Sequence, residues 1–306
     1  MDYPSELNWP QQVWDDINTA IKMEMGKVRI AQKVFSTMVY EMAECPTEVT
    51  NDVINFLDPD GLSIKEGSTK PFVEIYHEFP LTHTQVCKEP TLKTCKTLSC
   101  MAAKALALAE DKIFFQGNRG PLPGNVLAAQ RESAANGLLG EASPTDASNE
   151  DPNKVSVPIQ VPRLQNSQTG AIWGENTASA IARGISLLTS KGQAKDYALF
   201  LPTDVHSDIY VPSSPASPVT PADRIMPMVE GGIYTNGTLP TLPLQGLLVA
   251  LAGDPTMLYV GREASVEFVR KEGSKYFFRV VERVQYVARD RRSLVLLNFE
   301  QEQIPQ

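Results

Sequence analysis

The sequence is poor in the residues that usually carry chemistry. It has three histidines and four cysteines in 306 residues. None of Cys45, Cys87, Cys95 and Cys100 forms C-x-x-C, which excludes the common zinc-finger spacings and predicts no zinc site. Cys95 and Cys100 read as small core residues of a protein in a reducing compartment. No apolar run approaches ~18 residues, so no membrane-spanning helix is predicted. The N-terminal MDYPSELNWPQQVW is acidic and lacks the apolar stretch of a signal peptide. There is no excess of positive charge either: the net charge is −8, which argues against a surface that coats nucleic acid. The basic residues near the C-terminus, Lys275, Arg279, Arg283, Arg289, Arg291 and Arg292, read as a strand edge or subunit contact.

No catalytic motif fills the gap. G-x-S-x-G is missing, and Gly117, Gly120 and Gly124 match neither a dinucleotide fingerprint nor a P-loop. Asp204, His206 and Asp208 alternate, so a strand would point all three to one side as metal ligands, yet no further His or acidic cluster completes a set. His77 and His83 lie within a predicted hairpin without a nucleophile in a strained turn, and read as surface or interface residues. The paired carboxylates Glu110 and Asp111 read as solvated or as touching a neighbouring subunit. The chain is expected to be no enzyme, with no metal and no cofactor.

What the sequence does have is structure. Hydrophobic content of 42% and charged content of 21% are those of a globular protein with ample core. From Leu92 to Gly117 the residues Leu92, Cys95, Leu98, Ala102, Leu106, Ala109 and Ile113 repeat at helix spacing. At ~1.5 Å rise per residue this predicts a spine roughly 37 Å long, stopped by Gly117. A first amphipathic helix is predicted over Trp14 to Phe35, with Trp14, Ile17, Ile21, Met25, Val28 and Phe35 near one face. Val53 to Leu57 and Pro71 to Leu81, separated by the turn Asp58-Pro59-Asp60-Gly61, predict a long two-stranded hairpin with too few apolar residues to fold alone. Glu141 to Pro162 is polar and reads as a surface insertion or extended arm. A helix over Thr177 to Lys191 and a buried strand over Tyr197 to Leu201 follow. Val211 to Pro221 is proline-rich with small neutral residues, which predicts an exposed, semi-rigid loop. A short helix over Arg224 to Glu230 and strands over 247–251, 257–260, 264–271, 276–289 and 293–299 close the chain, with Glu272-Gly273 as a hairpin turn.

These parts, in this order, resemble the encapsulin shell proteins of the linocin-like bacteriocin family. The resemblance lies in Trp14-Asp-Asp-Ile17 through Gln32-Lys33-Val34, Pro71-Phe-Val-Glu-Ile-Tyr76 through Phe79-Pro-Leu81, and Ala109-Glu-Asp-Lys-Ile-Phe-Phe-Gln-Gly117 followed by Gly137-Leu-Leu139. It continues in Tyr197-Ala-Leu-Phe-Leu-Pro-Thr-Asp204, Val229-Glu-Gly-Gly-Ile-Tyr234, Tyr259-Val-Gly-Arg-Glu263, Phe278 to Tyr286 and Leu294 to Phe299. It implies the α+β fold of HK97-type phage capsids. Residues 1–49, 90–136 and 252–288 would form a peripheral domain with the N-terminal helix, 50–89 an extended loop, and 137–251 with 289–306 an apical domain. It also implies a cytoplasmic icosahedral homo-oligomer enclosing cargo that carries a targeting peptide, such as a peroxidase or ferritin-like protein. By the same resemblance Ile17, Ile21, Val28 and Val34 would dock or pack against that peptide, and Pro212, Ser213, Ser214, Pro215, Ala216 and Ser217 would form a pore loop with little charge selectivity. The family's frequent Gly-Arg-Lys and Asp after the first helix are here Ala31-Gln32-Lys33 and Ser36, so its charged cargo contacts would be altered. Thr84 stands where flavin-binding members have a Trp, which implies no flavin. The alternative is the major capsid protein of a tailed phage or prophage, found in a virion and enclosing DNA.

Overall fold

A computed structural model describes residues 7, 9–40, 46–58, 61–66, 68–135, 137–143, 155–165, 168–216, 218–235 and 237–301. The chain begins with helix α1 (Gln11–Val28), the one-turn α2 (Ala31–Val34) and strand β1 (Ser36–Val39). Four short strands follow, β2 (Glu48–Thr50), β3 (Val53–Asp58), β4 (Gly61–Lys65) and β5 (Thr69–Pro71). Then come β6 (Val73–Thr82), α3 (His83–Cys87), α4 (Glu89–Leu92) and the spine α5 (Thr94–Gln116). Strand β7 (Leu127–Ala129), α6 (Gly137–Glu141), β8 (Ile159–Val161), α7 (Glu175–Ser190) and β9 (Tyr197–Leu201) lead on to α8 (Thr203–Asp208) and α9 (Pro221–Ile225). The chain closes through β10 (Gly232–Thr235), β11 (Gln245–Ala250), β12 (Thr256–Glu272), β13 (Lys275–Ala288) and β14 (Leu294–Phe299).

Among the described residues these strands build two five-stranded sheets, ordered β1-β12-β13-β6-β7 and β10-β9-β11-β14-β8. Strands β12 and β13 are one long antiparallel hairpin turning at Gly273, whose φ of 56° suits glycine. Alternation sorts their side chains: Phe278, Val280 and Tyr286 of β13 and Val73, Ile75, Phe79 and Leu81 of β6 are buried, whereas Glu74, Glu78, Arg279 and Arg283 point to the other face. The buried face packs under α1 and α5. The second sheet packs under α7, with Leu199, Leu201, Leu248, Val295 and Leu297 in a separate core cluster.

The spine begins at Thr94, because Lys93 adopts a left-handed conformation, φ 51°, and leaves Leu92 outside it and exposed. The buried Glu89 carboxylate stands in for a cap, accepting from the N–H groups of Cys95 at 2.8 Å and Lys96 at 3.0 Å. The helix is buried nearly all round in its second half and stops at Gly117, as its sequence predicts. Phe114 and Phe115 stack among Phe35, Phe200 and Tyr286, joining the two sheets through one aromatic cluster.

Four expectations are corrected. The first helix does not run to Phe35: it ends at Val28, and Arg29 is extended. The cause lies far away in sequence. Both oxygens of Asp111 accept from the N–H of Ile30, and Oδ1 also accepts from Ala31 at 2.8 Å, so the chain is captured at the start of α2. The same bonds overturn the reading of Glu110 and Asp111 as solvated, since both are buried. The strand over 53–57 does not pair with 71–81. Instead β3 pairs with β4 and β2 with β5, making a ribbon over 48–71, while β6 lies in the first sheet beside β13. Finally, Asp204, His206 and Asp208 lie on the helix α8, not on a strand. Cys45, the Pro59-Asp60 turn and residues 144–154 of the polar insertion fall outside the described residues.

Candidate functional site

Trp9 stacks on Phe278, Trp14 packs tilted against both, and the Trp9 indole N–H donates to the Val86 carbonyl at 2.8 Å. These contacts fix the start of α1 against α3. Between α1 and the α4–α5 corner they leave a groove of about 300 Å³. Pro10, Val13, Ile17 and Pro90 give it apolar walls, and Asp16, Lys93 and Lys96 bring both signs of charge to it. Such a mixed, shallow groove suits a short extended segment with apolar side chains better than a polar metabolite.

Of the residues expected to dock cargo, Ile17 lines this groove. Ile21 is not among the groove's lining residues; it is 0% exposed in the main core, and Ile17 is itself only 1% exposed and part of the same core. The reason is the heptad-like spacing of Trp14, Ile17, Ile21 and Met25, which turns that face of α1 onto α5 and β12. Val28 and Val34 are half-buried, packed on the edge of the same core. Their neighbourhood is the Arg29–Ala31 break, away from the groove's lining residues.

The expected pore loop lies between α8 and α9. Pro212, Ser213, Pro215 and Ala216 are exposed and Ser214 is half-buried, while Ser217 falls outside the described residues. The loop base is closed by Ser213 N–H donating to the Val219 carbonyl at 3.3 Å. A concavity beside it is lined by Gln168, Thr169, Pro212, Ser214, Pro215, Ala216 and Pro218, none of them charged.

The remaining sequence candidates do not assemble into chemistry. Asp208 is buried and accepts from the N–H groups of Ile172 (2.6 Å), Trp173 (2.9 Å) and Gly174 (2.8 Å), a structural anchor. Asp204 is exposed, and His206, whose protonation is disfavoured by burial, lies against the Tyr210 ring. No group of three or more His, Cys, Asp or Glu among the described residues is arranged to hold a metal. Arg279 is matched to Glu74 and Glu267, Arg283 to Glu74, Arg291 to Glu141 and Arg292 to Asp290, so these four form ion pairs within the subunit, while Arg289 donates to the Tyr259 hydroxyl. One pairing was readable as H-x-x-x-C but fits no zinc-finger spacing: Cys87 Sγ lies 3.4 Å from His83 Nε2 on α3, and His83 Nδ1 lies 3.1 Å from the Tyr276 hydroxyl. Cys95 is a buried thiol pushed well up by desolvation, as a core residue should be.

Comparison with known proteins adds the following. The family model described as encapsulating protein for peroxidase matches residues 162–285. No curated protein sequence matches the chain. Among solved structures, a virus-like particle from Pyrococcus furiosus is similar at a TM-score of 0.64 and 13% identity, over 93% of this chain and 99% of that one. The capsid of an empty GTA particle is similar at 0.56 and 13% identity, over 88% and 89%. The capsid of Myoviridae phage XM1 is similar at 0.53 and 13% identity, over 88% and 90%. The chain therefore carries the α+β fold of HK97-type capsid subunits. No described helix is long and apolar enough to cross a membrane.

Proposed function

We propose that this chain, encapsulin-like in sequence over residues 162–285 and HK97-like in fold, is the subunit of a self-assembling icosahedral shell that encloses cargo enzymes. The observation that carries the reading is the coincidence of the two similarities, with the fold match spanning 93% of the chain. The subunit's own physics agrees. Its ribbon over 48–71 is two-stranded, and such a ribbon is marginal by itself in water. Strand β1, at an edge of the first sheet, leaves Met38 and Val39 45% and 49% exposed. Exposed apolar edges of this kind are covered in proteins that close by symmetry.

In this reading residues 1–49, 90–136 and 252–288 make a peripheral domain and 137–251 with 289–306 an apical one. The extended loop drawn at 50–89 is centred on the ribbon, since β6 is a member of the first sheet. The work of the subunit is assembly, not catalysis. The groove beside α1 receives the targeting peptide of a peroxidase or ferritin-like cargo, with Ile17 in its wall, Val28 at the far end of the same helix and Val34 beyond the break on α2. The neutral loop 212–217 lines a pore. The site of action is the cytoplasm.

Electron microscopy of the purified full chain tests the reading: closed particles of uniform diameter are expected, and soluble monomers under all assembly conditions refute it. Cargo is tested by co-purification, where a protein with a tail that competes for the groove is expected. The capsid neighbours support a second reading, a major capsid protein enclosing DNA. Nuclease-protected DNA inside the particles would select it.

A further inference from the structure

The end of α1 rests on a buried pair of carboxyl groups. Glu110 of α5 and Glu282 of β13 are both 0% exposed. Arg29 stands at both, its Nη1 3.4 Å from Glu110 Oε2 and 3.5 Å from Glu282 Oε1. The other two oxygens, Glu110 Oε1 and Glu282 Oε2, are sealed from solvent and receive no N–H or hydroxyl donor. Two ionised carboxylates in such a place would each carry a large desolvation cost with one guanidinium to offset both. A single proton between the two carboxyls supplies the missing donor and leaves one negative charge against the one positive charge of Arg29.

Among the described residues, Arg29 is the cation that acts on the pair. Asp111, next to Glu110, is held by the Ile30 and Ala31 N–H groups, and burial pushes it up to about 7. From β12, Glu263 repels Glu282 and is itself paired at the surface with Lys22 of α1. From β6, His77 lies on the same sheet face, two residues from Ile75, the ladder partner of Glu282. Burial and the neighbouring Glu282 push Glu110 well above the usual carboxylate range, and burial pushes Glu282 up to about 7 against the pull of Arg29.

We propose that Glu110 and Glu282 share one proton and, with Arg29, form a proton-dependent latch on the N-terminal helix, closed while the proton is held and released when it is lost. The helix end is the part that can give. Glu110 sits in a helix buried on nearly every side, and Glu282 in the centre of a sheet. Arg29, in contrast, is in the non-helical link between α1 and α2, with its side chain 14% exposed, and is the latch's connection to solvent. Loss of the proton places an unmatched negative charge in the site, and admitting water along Arg29 relieves it. The sign follows from the raised carboxyls: the stabilisation is whole at pH below their ordinary range and is lost as pH rises through about 7 and beyond.

Hydrogen exchange on the full chain tests the latch, read from about pH 6 to about pH 10 with the intrinsic base-catalysed rate divided out. In the wild type, protection of peptides covering 22–35 is expected to fall at least tenfold, while peptides of β9 and β11 hold. In Glu282→Gln, whose amide can donate to Glu110 and cannot ionise, the fall is expected to vanish; Glu110→Gln is the replicate should the first variant fold poorly. Flat protection in the wild type, a variant curve parallel to the wild type, or a loss spread evenly over the chain overturns the proposal. A readout without variants stands beside it: the infrared carbonyl band of a protonated carboxyl is expected at neutral pH and lost at alkaline pH, and its absence at neutral pH overturns the shared proton.

Discussion

The exit of the spine makes a quantitative claim about two glycines. Gly117 has φ 62° and ψ −126°, a conformation reserved for residues without a side chain. A Cβ there would lie 2.2 Å from the Ala134 carbonyl oxygen and 2.5 Å from the Gly137 nitrogen. Gly137, φ 59°, faces it: a Cβ there would lie 2.4 Å from the Gly117 nitrogen and 2.5 Å from the Phe115 carbonyl oxygen. The atoms in the way are backbone, which cannot turn aside as a side chain can. Gly117→Ala therefore carries two costs, about 1–3 kcal/mol for the conformation and about 1–3 kcal/mol for overpacking. Their sum, about 2–6 kcal/mol, is a large part of a typical stability of about 5–15 kcal/mol. Two controls separate the terms. Gly253 has φ 81° but open space around it, so its Ala variant carries the conformational cost alone. Gly26 lies in the body of α1 with nothing near, so its Ala variant is expected to stabilise by about 0.5–1 kcal/mol. The assay is the unfolding midpoint of each purified full-length variant at one concentration and one scan rate, since assembly would shift all of them together. The expected order is Gly26→Ala above wild type, then Gly253→Ala, then Gly117→Ala and Gly137→Ala lowest. Equal midpoints for Gly117→Ala and Gly253→Ala would refute the claim that the two backbone segments cross in contact.

Three further outcomes are expected. Replacing 52–66 by a short Gly-Ser turn, with β2, β5 and β6 kept, should leave a subunit with native far-ultraviolet circular dichroism that forms no particles; particles of normal size would refute the ribbon's role between subunits. With a maleimide at neutral pH, Cys87 should label first among Cys87, Cys95 and Cys100, because Cys87 is exposed while burial holds the other two thiols up and, for Cys95, covers it entirely; mass spectrometry of the peptides reads the order, and early labelling of Cys95 would contradict its place in the core. Asp208→Ala leaves the N–H groups of Ile172, Trp173 and Gly174 without their acceptor, so a loss of about 3 kcal/mol and faster exchange confined to 170–176 are expected; Asp208→Asn, which can still accept, should recover part of it.

How much of this was legible depended on how far each cause lay along the chain. The spine and its stop, the helix at 175–190, the strand at 197–201 and the closing hairpin at Gly273 are set by local spacing, and each stands within a few residues of where the sequence puts it. The break at Arg29 was not legible, because the α1 sequence continues the helical pattern and the carboxylate that interrupts it is 81 residues away. The same distance hid the burial of Glu110 and Asp111: adjacent acids on a helix ordinarily signal solvent, and only the arrival of Arg29, Ile30 and Ala31 makes their burial tolerable. For strand pairing, alternation identified β6 as a strand but not its neighbour: β3 is nearer in sequence, yet β6 pairs with β13, about 200 residues on, where its apolar face lies under α5. Of the candidate site, spacing placed Ile17 and Ile21 on one apolar helix face and both are in the core; that Ile17 also borders the groove depends on Pro90 and the α4–α5 corner, which lie more than 70 residues away in sequence.

If the chain builds the proposed shell, the charged face of the first sheet is a poor place for its subunits to meet. On the face away from the helices, Arg279 already lies between Glu74 and Glu267, Arg283 meets Glu74, and Arg270 bridges Glu78 and Glu272. Half-exposed pairs of this kind contribute little, about 0–1 kcal/mol each, and they are satisfied before any partner arrives. A partner laid on them gains no unpaired charge to neutralise. The ribbon is in the opposite position. Its base is anchored: Val49 is buried with Tyr259 and Val287, Lys70 lies over the Tyr286 ring, and the Pro71 carbonyl accepts from Ser133 and Gln285. Farther out, the Ile54 N–H donates to the Arg289 carbonyl at 3.1 Å, and Ile64 is 61% exposed. Ordering its outer strands has a backbone entropy cost of about 1–2 kcal/mol per residue. In the proposed shell, contact with like subunits is therefore expected along the outer ribbon and the open β1 edge, not across the charged sheet face.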